Sequence, residues 1–415
     1  MANLLQIEEP GRTPSEVPQW GAFLELGFRP LYMAGCLWAA VSVALWVFAP
    51  NWLHGQLTGV IWHAHEILWG FIATIAVGFL LTAGNNWTGV NPLKGKALGV
   101  LVLLWVLARL GFLVPGTTAF VLASGSTLLF FAWAAVALGR AIYSTRNQRN
   151  YGVPLLMAAL GVAEGLFLLA ARGGDYLLLM ERFNTGLLCM AIVTLLVARR
   201  VIPFFAMRAV TGLKLPMHTR SGHVQLTAGC LAIGCGLLGW TQAMALFLSV
   251  AGTIALVQLV SWKPWSVRRV PLLWILYVGY ASLGLGLLVA AGHAAELVPR
   301  AAWPAHVIGV AGFSVLIIGM VTRTALGHLG RPLRADRLMV ACYLLVMIAA
   351  ALRLVALLPT SLTLVALHAS ASAWIPAFAL YLWRFVPMLI RPRMNSAGTP
   401  ILNTDKIPVR PRSPR

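Results

Sequence analysis

The chain has 415 residues, of which 60% are hydrophobic and 10% charged, and its mean hydropathy is +0.83. A soluble protein of this length covers its surface with about a quarter charged residues, so this chain needs a bilayer to cover it. Its formal net charge of +20 raises nucleic acid as a partner, but the placement of the basic residues removes that need, as shown below.

The first twenty residues hold Glu8, Glu9, Glu16 and three prolines. They lack the basic start and apolar core of a secretory signal, and residues 1–27 are expected to form a cytoplasmic segment. Windows of about 20 apolar residues, enough for one helical crossing, follow at 31–49, 61–82, 97–114, 119–139, 153–171 and 176–197. Six more lie at 224–240, 243–261, 271–291, 303–323, 335–357 and 362–386, with Gly239 to Gln242 dividing the first two. Runs this long favour helices over barrel strands, which are about ten residues long and alternate. The expected fold is therefore an all-α polytopic bundle of about twelve transmembrane helices over 28–390, with no soluble insertion. The longest internal loop, 198–223, separates six windows from six, although no motif repeats between the halves. Pro203 and Pro216 predict that no uninterrupted helix crosses that loop. Residues 391–415 are rich in Pro, Arg and Ser and read as a disordered cytoplasmic tail.

With the amino terminus inside, 26 of the 31 Lys and Arg residues fall on the cytoplasmic side. Only Arg172 and Arg300 fall outside, and Arg109, Arg182 and Arg353 lie within windows. This is the positive-inside pattern; it puts both ends in the cytoplasm and accounts for the charge without nucleic acid. All five cysteines lie in apolar windows. Cys230 and Cys235 are about 140° apart on a helix, and all five read as small buried hydrophobes.

Ionisable groups inside a membrane are costly and mark functional positions. In this topology His63, His65 and Glu66 lie near the outer end of the second window. Arg109, Glu164, Glu181, Arg182, His306, Arg353 and His368 also fall in the outer half, with His293 just beyond it. Gathering on one side predicts a cavity open towards the outside. Histidine nitrogen suits haem iron, copper and zinc. His63 and His65 are about 200° apart on a helix, so they face opposite ways; His63 shares a face with Glu66 and Gly70, and His65 with Trp62 and Trp69. HAHE does not have the HExxH spacing of zinc proteases. Plainer readings make His54 and His293 interfacial residues. They also let Arg109, Arg182 and Arg353 snorkel or pair with Glu66, Glu164 and Glu181, rather than hold anionic groups such as haem propionates. Spacing alone leaves three readings open: a metal or haem site, a proton- or ion-coupled transporter, and a structural network.

Several stretches carry a resemblance. FRPLYMAG (28–35), WHAHEILWGF (62–71), GFLLTAGNNWTG (78–89), RRVIPFF (199–205), MVTRTALGHLGRPL (320–333) and VPMLIRPR (386–393) resemble the NnrS family, in order and across nearly the whole chain. The resemblance implies a bacterial inner-membrane protein containing haem and copper, associated with denitrification and with tolerance of nitric oxide and nitrosative stress. Nitric oxide or a nitrosyl species is the implied ligand, with the electron donor open. By motif, His63, His65 and Glu66 match the family's HxHE, and His306 and His328 match the histidines flanking its tenth-span motif. His368 is a candidate from depth alone. The expected cofactor-binding residues are His63, His65, His306, His368, Arg109, Arg182 and Arg353, and the expected metal ligands His63, His65, Glu66, His306 and His328. About 20 residues, or about 30 Å of helix, separate His306 from His328, so His328 belongs to another centre or to the turn made by Gly327, Gly330 and Pro332.

The alternative is a twelve-helix proton- or ion-coupled small-molecule transporter. Against it, the stretch NNWTGVNPLKGKALG (85–99) lacks the acidic-then-basic GxxxDRxGR-like motif of major-facilitator carriers. A terminal-oxidase subunit fits poorly, because the chain has no adjacent His-His pair.

Overall fold

The computed structural model of the protein describes residues 17–394, so the expected disordered tail lies almost wholly outside the described residues. No β-strand occurs among them. The bundle consists of α1 Phe28–Phe48, α2 Gly59–Thr88, α3 Gly95–Gly111, α4 Thr117–Ser144, α5 Gly152–Gly173 and α6 Tyr176–Ala209, followed by α7 Thr219–Leu237, α8 Thr241–Ser261, α9 Pro271–Ala294, α10 Ala302–His328, α11 Arg337–Val355 and α12 Thr363–Leu389. Each coincides with one apolar window. Ten are long and apolar enough to cross a membrane; α3 and α7 are not among them. The 17 residues of α3 span about 26 Å, short of a hydrocarbon core of about 30 Å. The first turns of α7 carry Thr219, Arg220, His223 and Gln225.

Two expectations are corrected. Helix α6 runs through Pro203 to Ala209, so the loop expected at 198–223 narrows to 210–218, where Pro216 lies and where, as expected, no uninterrupted helix crosses. A proline removes one backbone hydrogen bond, a loss that neighbouring helices and local adjustment make tolerable in membrane helices. Cys36, Cys189, Cys235 and Cys342 are buried, but Cys230 is exposed. Its helix packs chiefly on α6 and α8, which leaves one face of α7 at the surface.

Helix α2 is the most enclosed of the ten, touching α1, α3, α4, α6 and α10. Helices α2 and α10 share a device. Each widens into π-helix directly after a histidine, over Glu66–Ala73 in α2 and over Val307–Ser314 in α10. A hydroxyl closes each wide turn onto a carbonyl five residues back, Thr74 Oγ1 to Trp69 O at 3.0 Å and Ser314 Oγ to Gly309 O at 2.9 Å. The two widened segments touch each other, and single-turn π insertions of this kind are frequent at functional sites.

Apolar side chains gain little by leaving lipid, so helices in a membrane associate through close packing and polar contacts, often at small residues. Helices α9 and α10 approach at Gly279, where an added Cβ would lie 2.6 Å from the backbone nitrogen of Leu316. Backbone cannot rotate away as a side chain can. Gly279→Ala should therefore lower the unfolding temperature measured in detergent by several degrees, whereas Gly234→Ala, with open space around its Cβ, should leave it within a degree.

Candidate functional site

The polar residues of α2 divide between two environments. On one side, His63 lines a cavity of about 420 Å³ whose walls also include His306, Arg353, Trp46, Met180 and Trp374. This volume lies within the range of about 300–1,000 Å³ usual for cofactor and ligand sites. The His63 ring stacks on Trp46 at 3.9 Å with a 10° interplanar angle, and its buried Nδ1 has no hydrogen-bond partner. His306 Nδ1 lies 2.7 Å from the carbonyl oxygen of Ala302. A carbonyl only accepts, so Nδ1 carries the proton and Nε2 keeps its lone pair. The Arg353 guanidinium lies 5.5 Å from the Trp46 ring and makes no ion pair with a carboxylate among the described residues.

On the other side, His65 and Glu66 are fully buried in a network drawn from five helices. His65 Nδ1 lies 2.8 Å from Glu66 Oε1, and Nε2 lies 3.0 Å from Glu164 Oε1 of α5. Glu66 Oε2 accepts from Arg109 Nη1 of α3 at 2.9 Å and from Trp38 Nε1 of α1 at 2.5 Å. Thr127 of α4 accepts from Arg109 Nη2 at 3.1 Å and donates to Glu164 Oε1 at 2.9 Å. Each ring nitrogen of His65 thus faces a carboxylate oxygen, and the Arg109 guanidinium lies against Glu66 and Thr127. Gly70 makes the space: a Cβ there would sit 2.7 Å from both Arg109 Nη1 and Glu66 Oε2.

This geometry revises several sequence expectations. His63 and His65 do face opposite ways, but Glu66 sides with His65 and not with His63. The π-helix begins at Glu66, so the angular step of an ordinary α-helix no longer holds there, and Arg109, Trp38 and His65 draw its carboxylate inwards. His65 has no free ring nitrogen and Glu66 no free oxygen, so neither is disposed as a metal ligand. Arg109 is held by Glu66 and Thr127, which leaves it unable to serve as a cofactor's cation. Arg182 is half-buried at the same end of α6 but does not line the cavity. His368 bonds back to the Leu364 carbonyl and meets the Phe48 ring edge-on. Leu367, Ser370, Ala371 and Trp374 form the face of α12 that lines the cavity, and His368 falls about 100° off Leu367. His328 lies at the opposite end, beside Arg149, Arg200 and Arg323 in a separate cavity of about 510 Å³. Three guanidinium neighbours make poor company for a metal cation. Among the described residues, no three His, Cys, Asp or Glu side chains converge as a ready metal site.

Between the two cavities lies a small apolar void of about 80 Å³. It shares Ile72 with the cavity of His63 and Phe79 and Val201 with that of His328. Sequence reasoning missed Trp38, Trp46, Thr127 and Trp374. The tryptophans look like interface or packing residues, and Thr127 carries no sequence signal at all.

Removing one partner of a buried ion pair is costly because the other charge is left uncompensated. Arg109→Met should therefore lower stability by about 3–5 kcal/mol, read as a fall in the unfolding midpoint. A change below about 1 kcal/mol would show that the network is not a mainstay of the fold.

A family model described as NnrS protein matches residues 22–393. No curated protein matches the chain.

Proposed function

The chain belongs to the NnrS family, membrane proteins linked to the nitric oxide response, and on that premise we propose that it holds haem in its outer cavity and binds nitric oxide there. The protein would sit in the bacterial inner membrane with both ends in the cytoplasm, as its basic residues favour. The observation that carries the reading is the pairing of His63 and His306 on one cavity wall system, each with an uncommitted ring nitrogen, beside an arginine without a carboxylate partner.

Haem, if bound there, would supply an iron that takes histidine nitrogen and binds small gases. The protein's own groups have distinct tasks. His63 and His306 are the nitrogen donors, and the Ala302 carbonyl fixes the tautomer of His306 and raises its basicity. Arg353 is placed to pair with a carboxylate of the bound group, an interaction for which guanidinium is well shaped. Trp46 and Trp374 offer flat apolar surface. The His65–Glu66–Glu164–Arg109 network fixes the wide turn just after His63 and so positions that ring. A neutral, apolar gas needs no polar channel and can enter through the apolar walls. Among the described residues no third His, Cys, Asp or Glu joins the histidine pair, and no role is derived for copper.

Purified protein should show a Soret band that shifts when nitric oxide is added without oxygen. His63→Ala and His306→Ala should each cut haem retention strongly, and Arg353→Ala several-fold. Protein with no Soret band and no bound iron after expression with haem supplied would refute the proposal.

A further inference from the structure

The inner cavity has a chemistry that nothing in the outer site explains. Arg323 is 5% exposed, yet its guanidinium makes only a cation–π contact with the Phe205 ring at 3.9 Å, and its buried Nε has no partner. Arg200 bonds only neutral acceptors, Asn150 Oδ1 at 2.6 Å and the Arg149 carbonyl at 3.2 Å, and its Nε is also orphaned. Arg149 and His328 complete the basic wall. None of the seven carboxylates among the described residues lines the cavity; Glu25 and Asp336 pair with Arg29 and Arg384 elsewhere. Guanidinium groups gathered in a partly buried space repel one another and leave their desolvation uncompensated. The natural remedy is a bound anion, and arginine forks match phosphate oxygens well.

We infer that this cavity binds a phosphate group, with Arg323 as its buried anchor and Arg200, Arg149 and His328 around it. The phosphate has two possible sources, a free ion or the headgroup of an anionic lipid. Basic pockets between membrane helices on the cytoplasmic side bind lipid headgroups. Here the apolar part of the wall runs out through Phe204 and Leu333, each 47% exposed, along a path suited to an acyl chain.

The test uses the full chain, delipidated in neutral detergent at constant ionic strength. Its unfolding temperature is followed while inorganic phosphate, short-chain phosphatidylglycerol or short-chain phosphatidylcholine is added. A saturable rise with phosphate supports a site that takes the free ion. A rise with phosphatidylglycerol alone supports the lipid headgroup. Arg323→Gln should raise the half-saturating concentration at least tenfold. Arg149→Gln, a change at an exposed side chain, should raise it several-fold and decides the matter if the first variant does not fold. No saturable rise with any of the three, an equal rise with phosphatidylcholine, or an unchanged response in the folded variants would overturn the inference.

Discussion

Four ionisable groups enclosed by helices have to neutralise one another, because neither lipid nor apolar side chains will solvate them. In this protein that requirement joins five consecutive helices. Trp38, the His65–Glu66 pair, Arg109, Thr127 and Glu164 come from α1 to α5 in turn. The helix least able to hold its place by length, α3, contributes the arginine at the centre. Close packing alone leaves many helix orientations near in energy, whereas a network with directional bonds to Glu66 has one. The candidate site follows from it: once α2 is held in rotation, His63 is turned towards α10 and α11.

The π-helical segments translate that rotation into a site. Ordinary helical spacing sets His63 and His65 on opposite sides of α2, and the wide turn that begins at Glu66 lets that side chain close on the same side as His65. The matching segment in α10 lies against it and begins just after His306. Wide turns leave carbonyls poorly paired, and the hydroxyls of Thr74 and Ser314 answer that need in the same way in both helices. Two helices from different halves of the chain thus present a histidine at the start of a wide turn to one shared space.

Much of this was legible in the sequence, because bilayer physics acts on composition and length. Each apolar window contains a helix, and the gathering of His63, His306 and Arg353 at one depth corresponds to a common cavity. What escaped was direction around the helix axis. Spacing of 100° per residue puts Glu66 on the face of His63, but the π turn that begins at Glu66 breaks that step. His368 has the right depth and the wrong face. Pro203 failed to stop α6 because the bundle tolerates one missing hydrogen bond. Arg323 sits in a motif with family resemblance, yet no spacing rule announces that its guanidinium will be buried without a carboxylate.

The three spaces along α2, α6 and α10 form a series whose middle member differs in kind. Its polar side chains, Tyr32 and Thr194, are already engaged, by Thr324 Oγ1 at 3.0 Å and by the Met190 carbonyl at 2.8 Å. A water there would find almost no partners. A chain of waters joining one chamber to the other would lack hydrogen-bond partners along this stretch, so the void separates the two chambers by its chemistry as well as by its small size.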